Sequence, residues 1–147
     1  MKIEIDKKTI DNLNRMFKNI EYAVAKEIVL KASKEATEVL KATTIDTINS
    51  MDLLYTTDMR ESLVVRKLRT KRHSDYVGHN VQHDTEKFPK LVKKTKSNKR
   101  YFYPAVVEFG SDRVPAKHPK RIAMEKAKNA VQTKFVEVSR AELKKIK

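Results

Sequence analysis

Apolar residues recur at Ile10, Leu13, Phe17, Ile20, Val24, Ile28, Ala32, Ala36 and Val39, and Thr43 continues the series. Steps of three and four put these side chains on one side of a helix, so the pattern predicts an amphipathic helix. No Gly or Pro interrupts 7–49, and the helix is expected from about Lys8 to about Asn49, with Asp6 or Thr9 as its cap. A stripe this long and narrow needs a large surface to lie on, either a sheet or neighbouring subunits. Ahead of it, Met1–Ile5 alternates Ile with charge, which predicts a short strand.

After a connector over 50–58, strands are predicted at 61–70, where Val64 and Val65 favour extended backbone, and at 75–82. A basic, His-containing turn separates them. Residues 83–100 carry no period, one Pro and many Lys, and predict a long flexible loop. From Tyr101 to Phe109 the period is two. Tyr101, Tyr103, Ala105, Val107 and Phe109 share one face, while Phe102, Pro104, Val106 and Glu108 share the other. A strand is expected, with Pro104 at an edge or bulge and Gly110 taking a positive φ at its exit. A loop over 111–117 leads to a final helix that starts at His118 or Pro119. Its stripe is Ile122, Ala123, Ala127, Val131, Phe135 and Val138, then Leu143 and Ile146. This order predicts an α+β class: a long N-terminal helix and a C-terminal helix packed on a small antiparallel sheet. One domain is expected over 1–147, with 83–100 as its basic loop.

Composition narrows what such a domain does. There is no Cys, so disulfides, thiolate nucleophiles and Cys-ligated zinc are excluded. No apolar run approaches the roughly 20 residues of a membrane span, and the start lacks the apolar core of a signal peptide, so a soluble protein made in the cytosol is expected. The formal net charge is +14. Between Arg66 and Arg100, twelve Lys and Arg face only Asp75, Asp84 and Glu86. Lys87, Lys90, Lys93, Lys94, Lys96, Lys99 and Arg100 are the candidate contacts to DNA or to a partner. Three readings stay open for them: phosphate neutralisation, docking on an acidic protein surface, and a solvated loop. Only Tyr76 and Phe88 interleave with the charge, so a base-stacking platform is not expected.

No constellation points to catalysis. The histidines are His73, His79, His83 and His118. His79 and His83 have helical ligand spacing, but on a strand they stand ~13 Å apart, and Asp84 would add an oxygen only if a turn formed. The surface-histidine reading outranks a metal-dependent hydrolase. Carboxylates are scattered, and Glu108 is expected to pair with Arg113 or Arg121 and fix the bend after the aromatic segment. With Gly only at 78 and 110, no glycine-rich phosphate loop exists. Ser and Thr lack a nucleophile elbow or triad. No enzyme, cofactor or metal is expected.

The segment Tyr103-Pro104-Ala105-Val106-Val107-Glu108-Phe109-Gly110-Ser111, followed by Pro115-Ala116-Lys117-His118-Pro119-Lys120-Arg121-Ile122-Ala123, resembles the tail-completion (head–tail joining, or neck) family of long-tailed bacteriophages. In that family an aromatic strand ends Val-Glu-Phe-Gly-Thr/Ser. A short loop, an Ala-Arg-Pro-type turn and an amphipathic helix follow. Ala116, Arg121 and Ala123 match in place, whereas Lys117 stands where Arg is usual and Pro119 comes one position late. Met1–Ile5 with its helix is similar to the family's start. Thr57-Asp58-Met59-Arg60-Glu61-Ser62-Leu63 resembles its Thr-Gly-x-Leu-Arg-x-Ser-Ile segment, with Asp58 replacing Gly.

The resemblance implies a structural virion protein at the head–tail junction, present in the host cytoplasm during assembly. It implies a homo-oligomeric ring that binds tail-tube, tail-terminator and head-connector proteins, with no membrane; if the basic loop faces the lumen, it touches exiting DNA nonspecifically. The residues that carry it as structural determinants are Tyr101, Tyr103, Val107, Glu108, Phe109, Gly110, Pro115, Ala116 and Arg121. The competing class is a small cytosolic nucleic-acid-binding module acting through its basic central segment.

Overall fold

The computed structural model describes residues 7–18, 22–69 and 77–146. The strand expected over Met1–Ile5, the Asp6 cap and the basic turn around His73 lie outside these residues. The fold is α+β, with long helices toward both ends of the chain and small antiparallel sheets between them.

Helix α1 spans Lys7–Phe17 and α2 spans Tyr22–Asn49, both within the stretch expected to be helical; residues 19–21 between them lie outside the described residues. A short helix, α3 (Thr56–Glu61), occupies the end of the expected connector. Strands β1 (Leu63–Lys67) and β2 (His79–His83) form one two-stranded sheet. Leu68 N–H donates to Gly78 O at 2.9 Å and Asp84 N–H to Ser62 O at 2.7 Å, a register that only antiparallel strands give.

The next two elements correct the sequence reading. Residues 83–100 are not one irregular loop. They hold a 3-10 turn (Pro89–Leu91) and strand β3 (Val92–Lys94), which pairs antiparallel with β4 (Arg100–Phe102). The aromatic segment is a strand only as far as Phe102. From Tyr103 to Phe109 it is a helix, α4, with Pro104 in its first turn and Gly110 at its end. Helix α5 then spans Pro119–Lys144, starting where the proline predicts. Among the described residues, no helix is long and apolar enough to cross a membrane.

Contacts cluster into two compact units. The first comprises Met1–Val39, Val65–Asn80 and Lys128–Lys147. Leu13, Ile28, Ala32, Ala36 and Val131 are buried within it. Ser33 Oγ accepts the His79 backbone N–H at 2.9 Å, and Lys31 Nζ donates to Glu142 Oε1 at 2.6 Å. The second unit comprises Leu40–Val64 and Val81–Ala127. Its core contains Leu40, Ile48, Met59, Leu63, Val81, Leu91, Val107, Ala123 and Ala127.

The buried face of α2 runs through Ile28, Ala32, Ala36, Leu40, Thr44 and Ile48, each four residues after the last, with Thr37 and Thr47 buried beside it. At 3.6 residues per turn a four-residue step advances about 40° around the helix, so this stripe winds as it goes. The expected stripe shares Ile28, Ala32 and Ala36 with it, but its continuation at Val39 and Thr43 is only half-buried. Helix α5 follows the same rule through Pro119, Ala123, Ala127, Val131 and Ser139. Buried threonines fit on α2 because their hydroxyls donate back into the helix: Thr37 to Ser33 O, Thr44 to Leu40 O and Thr47 to Thr43 O, at 2.7–2.8 Å.

Candidate functional site

The second unit holds most of the residues that the sequence singled out, in two arrangements. One is the corner between α4 and α5. Pro104, Val107 and Glu108 are buried, with the three- and four-residue spacing of a helix face. The Glu108 carboxylate accepts the backbone N–H groups of Lys120 (2.9 Å) and Arg121 (3.1 Å). These are two of the donors that the start of α5 leaves without a partner inside the helix, so a buried anion from α4 caps α5. Glu108 therefore does join Arg121, but through the main chain. The Arg121 guanidinium points to Glu125 instead, with Nε 3.8 Å from its carboxylate.

The backbone of the corner is closed by further bonds. Lys117 N–H donates to Val107 O at 2.8 Å, Gly110 N–H to Val106 O at 2.8 Å, and Ser111 and Val114 bond each other. Gly110 has the positive φ expected of it, 77°. A Cβ there would lie 2.9 Å from Ala116 N. Pro115 is exposed and Ala116 half-buried against Gly110. Lys117 Nζ reaches Asp52 O at 2.6 Å and ties the 50s loop to the bend.

Because Val107 and Glu108 face inward, Phe109 faces out: it is 79% exposed. This overturns the expectation of a strand in which Tyr101, Tyr103, Val107 and Phe109 share one face. Tyr103 does pack, edge-on to Tyr55 with ring centroids 5.3 Å apart. Burial pushes the Tyr103 phenol above its usual pKa, partly offset by the Leu54 backbone.

Glu108→Gln is expected to cost about 1–2 kcal/mol, since one of two bonds to a charged acceptor is lost while the shape is kept. Urea unfolding measures this, and an unchanged midpoint would mean that the end of α5 is held by something else.

The second arrangement is the β3–β4 hairpin. Its register pairs Val92 with Phe102, Lys93 with Tyr101, and Lys94 with Arg100. The tip is closed by its own main-chain and side-chain hydrogen bonds. Thr95 N–H donates to Lys99 O at 2.8 Å, Asn98 N–H to Thr95 O at 2.9 Å, and Lys99 N–H to Thr95 Oγ1 at 3.1 Å. Asn98 sits at φ 61°. This is the three-residue hairpin loop whose last residue is left-handed, a place that Asn tolerates. Lys94, Lys96, Lys99 and Arg100 are exposed on it, as are Lys87 and Lys90 before it. Lys93 is half-buried, with Nζ 3.7 Å from the centroid of the Tyr55 ring. Tyr55 itself is left-handed, at φ 59°.

A buried polar pair lies in the same unit. His83 Nδ1 is 2.7 Å from Ser62 Oγ, and that hydroxyl donates to Met59 O at 2.9 Å. With its one proton committed, Ser62 accepts from His83, which assigns the proton of the neutral ring to Nδ1. Nε2 is buried without a hydrogen-bond partner. Burial, then the nearby Lys120 charge, push the His83 pKa from 6.5 down to about 3. The Lys120 ammonium is itself pushed down by burial and supported by Glu108. Ser62 is fully buried, so this pair offers no nucleophile to a substrate.

His83 is thus not the surface histidine expected. It shares the inward face of β2 with Val81, a two-residue spacing that was the available signal. His79 bonds Ser33 instead, at 3.2 Å from Nδ1 to Oγ, and burial lowers its pKa. Among the described residues, no group of three or more His, Asp or Glu gathers where it could hold a metal ion. Asp84 Oδ1 accepts the backbone N–H groups of Glu86 and Lys87, shaping the turn after β2. What the second unit presents, then, is a hydrogen-bonded corner and a basic hairpin with exposed cations. No family model matches the chain, and no curated protein or solved structure matches it.

Proposed function

We propose that this is a structural virion protein of the phage neck, which forms an oligomeric ring, completes the tail and joins it to the DNA-filled head. It acts by binding its own copies, the tail tube or tail terminator, and the head connector, at the head–tail junction. The observation that carries the reading is Phe109. It belongs to the Val-Glu-Phe-Gly motif of the resemblance, and it is an aromatic held 79% exposed on a corner that cannot turn it inward. Leu54, 73% exposed in the same unit, lies in the loop that Lys117 ties to that corner. Large apolar side chains held outward by a rigid frame suit a contact between subunits, and repeated heterologous contacts close into a ring.

Replacing Phe109 and Leu54 with Ala is expected to leave stability within about 1 kcal/mol, because neither side chain is buried. Ring formation, followed by electron microscopy and sedimentation, is expected to be lost, and heads should accumulate without tails. Rings and tailed particles formed as in the wild type would sink the proposal, as would absence of the protein from purified particles. The competing reading, a cytosolic nucleic-acid-binding module, requires that absence.

A further inference from the structure

We propose that the β3–β4 hairpin is an arm that binds the phosphate backbone of duplex DNA, with Lys94, Lys96, Lys99 and Arg100 as its contacts. The inference stands on the hairpin and not on the neck reading. Between Glu86 and Glu108 there are seven Lys and Arg and no carboxylate. The structure concentrates these charges. Since Thr95 and Lys99 form a hydrogen-bonded pair, the adjacent pair Lys94–Arg100 is the non-hydrogen-bonded kind, with Cα atoms about 4.5 Å apart. Two like charges directly opposite in a ribbon repel and destabilise it. No ion pair seen among the described residues involves a hairpin cation. The fold thus keeps a repelling cluster at an ordered tip and leaves it without an anion of its own.

Chemistry selects the partner. From Thr95 to Arg100 no side chain is apolar or aromatic. A protein interface centres on apolar and aromatic anchors and is depleted in Lys. Phosphates need no such anchor, and Lys serves them as a point charge. With no ring at the tip there is nothing to stack on bases, so contact is with the backbone and insensitive to sequence. At the base, the Tyr55 ring holds Lys93 and steadies the ribbon.

The test uses the full chain and a fluorescent mixed-sequence duplex, titrated by anisotropy over a range of salt. One variant carries Lys94→Glu, Lys96→Glu and Lys99→Glu. A control carries Lys126→Glu, Lys128→Glu and Lys144→Glu, exposed positions on α5 with the same change in net charge. The wild type is expected to bind with steep salt dependence. The hairpin variant should lose at least about tenfold in affinity, with a slope of log K against log salt flatter by about 3, roughly 0.9 for each phosphate no longer neutralised. The control should stay close to the wild type. A Lys-to-Ala set at the same three positions should shift both readouts in the same direction, which guards against misfolding. Equal loss in hairpin variant and control overturns the proposal, as does competition by polyglutamate as effective as that by DNA. A wild type that binds DNA through the hairpin yet is absent from particles keeps the arm and removes the neck reading.

Discussion

Below about pH 6.5 the protein is expected to lose stability at about 1.4 kcal/mol per pH unit through His83 alone. The folded protein holds this ring neutral down to about pH 3, whereas an ordinary histidine takes a proton near 6.5. Between those values the unfolded chain binds a proton that the folded one refuses. Stability from His83 is therefore complete above pH 6.5 and declines as pH falls toward 3. The refusal has three sources. The ring is buried, Lys120 sets a positive charge near it, and a proton on Nε2 would meet no acceptor. The Met59 carbonyl opposes these only weakly. The accumulated loss reaches about 5 kcal/mol, a large part of a typical domain's stability.

His83→Asn isolates the effect. Its amide can still donate to Ser62 Oγ, but it does not titrate. The variant should be weaker than the wild type by about 1–2 kcal/mol at neutral pH, having lost the ring that packs edge-on to Phe102. Its stability should then fall less steeply on acidification, by the equivalent of one proton. Every other ionisable group is common to both proteins and cancels in the difference. Urea midpoints across the acid range supply the measurement. Parallel pH profiles for the two proteins would show that His83 is not the group that refuses the proton.

The long helices were legible because helix signals extend over many residues. Pro119 marks the start of α5 and the unbroken run to Asn49 marks the end of α2. Their inward faces were legible only in part, since a stripe stepping by four drifts away from any straight line drawn down the helix. Helix α4 was missed for a specific reason. In a seven-residue apolar segment, alternating aromatics give period two, while Pro104, Val107 and Glu108 give helical spacing, and length does not arbitrate between them. The better guide was Pro near the start with Gly just past the end, the asymmetry that brackets a helix. The hairpin was hidden by its own chemistry. Its strands are three residues long, half of their residues charged, and offer no hydrophobic alternation to read, so Asn98 in its turn was the single local clue. Glu108 was found by its isolation among aromatics, but only the helical backbone explains its role. On a strand it would seek a guanidinium; on α4 it reaches the amides of α5.

Gly110→Ala is expected to cost about 3 kcal/mol or more and to lower the melting temperature by about 6–12 °C. Gly110 lies at φ 77°, ψ −179°, a region essentially reserved for glycine. Conformation is only the first cost. A Cβ would stand 2.9 Å from Ala116 N, 3.1 Å from Val114 O and 3.2 Å from Ala116 Cβ. Two of those three neighbours are main-chain atoms, and the main chain there is bonded on every side, by Gly110 to Val106, Ser111 to Val114 and Lys117 to Val107. To make room the bend must break one of these, and the same shift pulls Glu108 away from the start of α5. The double variant Gly110→Ala with Ala116→Gly discriminates between causes. It removes the side-chain neighbour and leaves both the backbone contacts and the forbidden φ. Recovery of less than about 1 kcal/mol is expected in thermal or urea unfolding, because the strain is in the main chain. Recovery of most of the loss would mean that the corner was merely crowded at Ala116 and not locked by its backbone.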